Sequence, residues 1–279
     1  MPVEILDEKN EKSNSESSKN ETSNSKFSFV VPREFVRIPS LGYTYPKDLG
    51  MGSTDIEMRY MTAADEDDLT SPSLIRKGVW LSKLLQNCMI NKSFDVDELL
   101  VGDRNALLFW LRQSAYGSNY ELSITCPSCE KKFANEFKLD KLIMKTLDVK
   151  PTTLGKNEFS FRLPKMDVEV HFRLTTGKIS AELEKEFEIQ RNLKTPKEAV
   201  ITSTLKQQIV EVQGIRDSKT IEDFIDNYLL ATDSLALRQY IEKITPDIIL
   251  KQAVTCPACG TSSEFDIPIE VQFFWPQSR

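Results

Sequence analysis

Two short cysteine motifs 130 positions apart hold the residues of this chain whose types and spacing suit a chemical role. The first reads Cys-Pro-Ser-Cys from Cys126 to Cys129, and the second reads Cys-Pro-Ala-Cys from Cys256 to Cys259. Together they supply four thiolates, the number that a tetrahedral Zn²⁺ site takes. Because no coordination position would remain open for a substrate, these four cysteines predict a structural zinc site rather than a catalytic one.

Three alternatives to this zinc site stand beside it: ordinary reduced thiols, a redox pair, and sites that are completed by a second chain. A thioredoxin-like redox pair needs one motif between a strand and a helix. Here each motif lies between two strand-like apolar runs, and the motif occurs twice. Iron can also occupy four thiolates. The fifth cysteine, Cys88, lies among apolar neighbours and is predicted to be an inert core thiol.

The residues for other kinds of catalysis are missing from the sequence. The chain has a single histidine, His171, in a strand-like run, and zinc does not need it. There is no glycine-rich phosphate loop and no Gly-Lys-Ser/Thr triplet. The acidic run 65–68 is typical of a solvated helix end. We therefore predict no enzymatic activity and no small-molecule substrate.

Composition and charge narrow the function classes further. The formal net charge is −6, and few cations flank the cysteine motifs, which argues against a nucleic-acid surface. No apolar run is long enough to span a bilayer, and the first residues lack the apolar core of a signal peptide. Paired cysteine motifs of this kind favour metal binding in a reducing cytosol over disulfides.

The elements around the motifs predict an α+β fold. Each cysteine motif with its flanking strands forms a hairpin that we call a knuckle, and the two knuckles together predict a zinc ribbon split by an insert. The predicted regions are a disordered polar leader (1–26), a mostly helical N-terminal region (27–119), the first knuckle (120–150), an inserted α+β unit with a β-hairpin and helices (151–250), and the second knuckle with an apolar C-terminal segment (251–279).

Helix signals are strongest just before the first knuckle. Asp103 is predicted to be the N-cap of a helix over 104–115 that Gly117 ends, with Arg104 on its surface. Thr62 is predicted to cap an earlier helix. Further helices are expected at 73–87, 180–192, 196–212, 220–230 and 233–244, with caps at Ser218, Thr220 and Asp233, and paired strands at 158–163 and 168–174.

Several short motifs occur in a characteristic order: Pro39-Ser40-x-Gly42, Asp65-Glu66, Leu99-Leu100-x-Gly102-Asp103-Arg104, Leu111-Arg112, Tyr116-Gly117 and Cys126-Pro127-x-Cys129. Their order resembles that of the baseplate protein family of T-even-like contractile-tailed bacteriophages, which includes hub subunits and hub assembly proteins. The resemblance implies a structural or chaperone-like role in the baseplate hub, other baseplate or tail proteins as partners, no enzymatic activity, and a location in the host cytoplasm during assembly or in the virion tail.

Two other functions stand beside this one. A zinc-ribbon nucleic-acid-binding or transcription-associated factor would use the same four cysteines, but would need more cations than Lys131, Lys132 and Lys251 near the knuckles. An enzyme with a structural zinc would need an active site that the residue types do not suggest. In the baseplate hypothesis, the metal closes the ribbon and fixes the insert against the N-terminal helices, while the aromatic run 273–275 finishes the core.

Overall fold

A two-stranded sheet and three short helices build the N-terminal part of the protein. The computed structural model describes residues 29–192 and 199–274, so the predicted leader 1–26 lies outside it. Strands β1 (Arg33–Arg37) and β2 (Asp55–Arg59) pair antiparallel. Helix α1 (Ala63–Thr70) begins after Thr62, which forms a capping box with Asp65, so the predicted cap is confirmed.

The single helix predicted over 73–87 is wrong, because the structure breaks it in two. Helix α2 covers Pro72–Arg76 and α3 covers Trp80–Cys88. Between them, Gly78 adopts φ +67°, the left-handed conformation with which glycine ends helices. Cys88 is fully buried at the end of α3, and burial raises its pKa to about 12. The thiol is therefore an inert part of the core, as predicted.

Helix α4 (Val101–Tyr116) packs at the centre of the molecule and ends at Gly117 with φ +79°, as predicted. Its start differs from the prediction, because Asp103 lies inside the first turn and caps nothing. The Asp103 carboxylate is fully buried and accepts hydrogen bonds from the Ser40 N–H (2.8 Å) and the Tyr45 hydroxyl. The segment predicted as a turn, a cap and a surface arginine is thus an interior contact.

The neighbours of Asp103 on α4 are also engaged. Arg104 pairs with Asp97 and donates to the Ser82 hydroxyl at 3.1 Å. Gly102 lies so close to the backbone of Pro246 that a Cβ would stand 2.1 Å from its carbonyl oxygen. A single helix turn therefore connects the N-terminal sheet region, the loop before the helix and the end of the insert.

The first knuckle is a β-hairpin of seven-residue strands, β3 (Asn119–Thr125) and β4 (Lys132–Lys138). The chain then forms β5 (Ile143–Lys145), β6 (Phe159–Arg162), β7 (Glu169–Phe172) and α5 (Gly177–Asn192). The predicted antiparallel pairing of the two insert strands is confirmed as β6–β7.

The rest of the insert departs from the predicted helices. Helix α6 covers Val200–Gln208, and the β-branched run that follows forms strand β8 (Ile209–Val212), which joins β7 in a three-stranded sheet. The helix predicted over 196–212 is therefore too long at its C-terminal end, while 196–198 lie outside the described residues. Helix α7 (Ser218–Asp223) continues into a π-helical turn, Phe224–Tyr228, and α8 covers Ala231–Ile244.

The predicted caps of these helices are corrected in the same way. Asp217, rather than Ser218 or Thr220, caps α7, and its carboxylate accepts from the Thr220 N–H at 2.9 Å. Asp233 lies within α8 and accepts from the N–H groups of Lys165 (2.8 Å) and Met166 (3.0 Å). Its carboxylate therefore fixes the turn between β6 and β7 instead of a helix end.

The chain returns to the first knuckle through β9 (Asp247–Ile249), which pairs antiparallel with β5. The second knuckle follows as β10 (Lys251–Thr255) and β11 (Ser262–Asp266). Phe273 and Phe274 are buried, and Phe273 packs on the rings of Phe109 (4.8 Å) and Tyr120 (5.3 Å). These two residues finish the core as expected, whereas Trp275 lies outside the described residues.

The α+β class and the small antiparallel hairpins are confirmed. Among the helices in the described part of the chain, none is both long enough and apolar enough to cross a membrane.

Candidate metal centre

The two knuckles bring all four predicted cysteine ligands together. The Sγ atoms of Cys126 and Cys259 lie 3.7 Å apart, and those of Cys129 and Cys256 lie 3.8 Å apart. All four sulfur atoms lie within 4.8 Å of one another. Residues that are 130 positions apart in the sequence therefore form one thiol cluster within a single chain.

Each knuckle folds by the same two backbone hydrogen bonds. In the first, the Glu130 N–H donates to the Cys126 carbonyl (2.9 Å) and the Cys126 N–H donates to the Lys131 carbonyl (3.0 Å). In the second, Gly260 and Thr261 repeat both bonds with Cys256, each at 2.9 Å. The turn needs a left-handed residue after the second cysteine, and Glu130 (φ +58°) and Gly260 (φ +74°) supply it.

The knuckles face each other with approximate twofold symmetry. The first cysteine of each knuckle is buried and contacts the second, more exposed cysteine of the other. The flanking core residues repeat as well. Ile124 and Val254 lie two positions before the first cysteine, and Phe137 and Ile267 lie eleven positions after it, and all four are buried. The cluster therefore lies on a small apolar base.

These distances fit a tetrahedral metal site. With a metal–sulfur bond of about 2.3 Å, the edge of an S₄ tetrahedron is about 3.8 Å. A disulfide would need sulfur atoms about 2.0 Å apart, so the observed contacts are not disulfides. An all-thiolate set suits a soft or borderline metal ion such as zinc or iron and does not suit calcium or magnesium.

The two more exposed thiols, Cys129 and Cys259, differ in their pKa. The Thr261 hydroxyl, 3.4 Å from Sγ, and the Thr261 N–H lower the pKa of Cys259 to about 6. The Lys131 N–H stabilises the thiolate of Cys129, but burial and the hydrogen bonds with the other three thiols outweigh it and raise the pKa of Cys129 to about 11. In the absence of a cation, Cys259 therefore loses its proton before Cys129 does.

A buried arginine anchors the first knuckle to the end of the chain. Arg112 is only 4% exposed, and its Nε donates to the Phe273 carbonyl at 2.6 Å. Its two terminal nitrogens donate to the carbonyls of Gly117 (2.8 Å) and Asn119 (3.2 Å), where β3 begins. Nothing local in the sequence indicates these carbonyl partners of Arg112.

The single histidine belongs to a different cluster. His171 Nδ1 lies 3.0 Å from Glu158 Oε1, and Glu211 completes a set of groups that are close enough to hold a metal. Arg216 already pairs with both carboxylates, at 2.7 Å and 2.6 Å. Mainly through Arg216, the pKa of Glu158 falls to about 2. We therefore assign this cluster to structural ion pairing.

Comparison with known protein families identifies one match. A family model described as "T4 bacteriophage base plate protein" matches residues 42–275. The matched range contains both knuckles, the whole insert and helix α4. No curated protein and no solved structure matches significantly.

Proposed function

The chain belongs to the T4 bacteriophage base plate protein family, and from that premise we propose that it is a structural or assembly protein of the hub of a contractile-tail baseplate. The resemblance in the short motifs is thus confirmed at the level of the family. The family match over residues 42–275 carries the proposal, because it covers most of the chain rather than one motif. The protein would act through contacts with other baseplate or tail proteins.

We propose further that Cys126, Cys129, Cys256 and Cys259 hold one Zn²⁺ ion within the chain. The support is the sulfur–sulfur spacing of 3.7–3.8 Å, which matches the edge of a zinc tetrathiolate. Four protein ligands leave no open position, so the ion would supply folding energy and no catalysis. The Thr261 hydroxyl beside Cys259 would stabilise the negative charge on that ligand.

The role of the metal is narrower than the sequence alone suggests. Support for this narrower role comes from β5 and β9, which pair at the two ends of the insert, outside the thiol cluster. Gln252 of the second knuckle also donates to the Lys138 carbonyl of the first at 3.2 Å. We therefore propose that the metal orders the two knuckles, while packing and backbone pairing hold the insert.

Mass spectrometry of purified tails from the bacteriophage that encodes the chain tests the assembly role. A fixed copy number in mature tails would make the protein a permanent hub component. Absence from tails, together with incomplete baseplates when the gene is deleted, would make it an assembly chaperone. Normal tails and normal infectivity after the deletion would contradict both forms of the proposal.

Metal analysis of the purified protein beside its native mass tests the zinc site. We expect one zinc ion per chain, whether the protein is a monomer or an oligomer. Iron in the same ratio would confirm the four-cysteine site but show that its metal is iron rather than zinc. A protein that folds and stays monodisperse without metal, after purification in zinc-containing buffer, would contradict the metal proposal.

A further inference from the structure

A cavity of about 640 Å³ lies between the loop that joins β1 to β2 and the start of helix α5. This volume falls within the range of small-ligand sites. Its apolar wall includes Pro46, Leu49, Phe94 and Ile179. Tyr45 also lines it, with its hydroxyl turned into the core toward Asp103. The cavity shares no residue with the thiol cluster.

One hydroxyl in the cavity wall has no partner. Thr44 is 4% exposed, and its Oγ1 atom is buried without a hydrogen bond to any described residue. A buried hydroxyl without a partner costs free energy that folding alone does not recover. Thr44 is one of the residues that line the cavity, but its Oγ1 has almost no accessible surface, so a polar group of a bound molecule would satisfy it once the side chain rotates toward the cavity.

Arg173 provides a free guanidinium fork in the same wall. Its Nε donates to the Gln207 carbonyl at 2.7 Å, which fixes the orientation of the planar group. Within the described part of the chain, Arg173 forms no ion pair. Its two terminal nitrogens therefore present the parallel donors that bind a carboxylate in bidentate fashion.

The start of helix α5 adds positive potential to this end of the cavity. Lys178 and Ile179 line it within the first turn of a 16-residue helix, whose N-terminus carries partial positive charge, and Thr176 lines it just before the helix. The Lys178 ammonium itself is paired with Glu98 at 3.2 Å, and Glu182 lies on the exposed rim. The lining therefore holds two cations and two carboxylates, and Arg173 is the cation for which the described residues provide no ion pair.

We propose that this cavity binds a carboxylate carried on an apolar stem. The carboxylate would accept from the fork of Arg173 and the Thr44 hydroxyl, while the stem would fill the space beside Phe94 and Ile179. Both the last residue of a partner chain and a small carboxylic acid have this chemistry. The inference rests on the cavity alone and stands whether or not the proposed baseplate role is correct.

Calorimetric titration of the full chain with N-acetyl-leucine and with N-acetyl-leucinamide tests the proposal. We expect the acid to bind saturably and the neutral amide to bind at least about tenfold more weakly. Thr44→Val keeps the side-chain shape and removes the hydroxyl. It should weaken binding of the acid several-fold while leaving the unfolding temperature unchanged or raised. If the hydroxyl had only a structural role, its removal would not weaken binding while leaving the unfolding temperature unchanged or raised.

Arg173→Gln should abolish the preference for the acid over the amide. Arg216→Gln is the control, because Arg216 is an arginine outside the cavity.

A pentapeptide with a free C-terminal leucine identifies the source of the carboxylate. Binding at least about tenfold tighter than N-acetyl-leucine indicates a chain end, whereas equal binding indicates a small acid. Equal affinity for acid and amide, no saturation at about 10 mM, or parent-like binding by Thr44→Val and Arg173→Gln would overturn the proposal.

Discussion

Two joints bring the residues before and after the insert together, and they are built from different chemistry. The thiol cluster joins the knuckles through sulfur atoms 3.7–3.8 Å apart. The second joint, which we call the backbone joint, consists of the β5–β9 pair together with Gly102 and Asn105 of α4. Gly102 packs on the Pro246 carbonyl, and the Asn105 side chain donates to Asp247 at 3.1 Å.

The difference lies in what each joint depends on. Four thiols in close contact cannot all carry charge unless a cation is present, so the order of the knuckles should follow metal, pH and redox state. The backbone joint contains no cysteine and depends on close approach and hydrogen bonding. Each joint can therefore be broken separately, and the consequences should differ in place as well as in size.

Cys256→Ala should have the largest effect. It removes one of the four proposed ligands, so we expect metal content to fall to near zero and the free energy of unfolding to fall by about 4 kcal/mol or more. Cys88→Ala is the matched control, because Cys88 is equally buried but lies in the core away from the cluster. It should keep the metal and cost about 1 kcal/mol for a small cavity. Urea denaturation and metal analysis measure both.

Amide hydrogen exchange of the same Cys256→Ala protein locates the damage. We expect the amides of β3, β4, β10 and β11 to lose protection, while those of β5 and β9 keep it. Uniform loss across both joints would show that the thiol cluster supports the whole insert, as the sequence alone suggested. Full protection in the knuckles would show that the metal does not stabilise them.

Gly102→Ala should break the backbone joint at the next largest cost. A Cβ here would lie 2.1 Å from the Pro246 carbonyl oxygen and 2.7 Å from the Asp247 Cα, so two backbones must separate. We expect a loss of about 3–4 kcal/mol, although alanine normally favours a helix over glycine. Metal content should not change. Chemical denaturation measures the loss.

Gly177→Ala provides the comparison for Gly102→Ala. The added Cβ would also meet an atom at 2.1 Å, but that atom is the terminal nitrogen of the Arg104 side chain, which can move. We expect a loss of about 1–2 kcal/mol. If both variants lost the same stability, the contact with Pro246 would not be a special point of the joint.

The buried carboxyl of Asp103 makes the region around the backbone joint sensitive to pH. Burial raises its pKa from 3.8 to about 6. Between these values the folded protein binds the proton more strongly than the unfolded chain, so this group's contribution to stability falls as pH rises. As the pH rises from 4 to 7, the free energy of unfolding of Asp103→Asn should therefore increase by about 2–3 kcal/mol relative to that of the parent. Urea denaturation of both proteins across this range measures the difference.

The thiol cluster is present in both of these proteins, so its own pH dependence cancels in the comparison. A difference between Asp103→Asn and the parent that stays constant with pH would show that Asp103 ionises in the folded state as it does in water. If the parent instead became more stable relative to Asp103→Asn as the pH rose, the hydrogen bonds from Ser40 and Tyr45 would be stabilising the charged carboxylate.

The two joints also differ in how well the sequence predicts them. The knuckles follow from local signals, because each Cys-Pro-x-Cys motif lies between alternating strands and recurs with the same neighbours. The end of α4 follows from an apolar stripe and Gly117. These features depend on residues that are close in sequence, and the family resemblance drew on the same segments.

The backbone joint has no comparable signal. Strands β5 and β9 have three residues each and pair across about a hundred positions, so neither forms a pattern by itself. Asp103 occupies a position where an acidic residue is typical of a helix cap, and only its tertiary contacts show that it is buried. By contrast, the break at Gly78 was visible in the sequence as a glycine inside an amphipathic run.

Glu130→Gly sharpens the comparison between the two knuckles and should have the smallest effect. Glu130 and Gly260 occupy the same turn position with φ +58° and +74°, but only glycine adopts this conformation without strain. We expect Glu130→Gly to raise the free energy of unfolding by about 0.5–1 kcal/mol. Gly260→Ala should lower it by about 1 kcal/mol, since no atom lies within 4 Å of the added Cβ and the cost is conformational only. Thermal denaturation with metal bound measures both. A loss of stability in Glu130→Gly would show that the glutamate side chain contributes more to the first knuckle than its backbone strain costs.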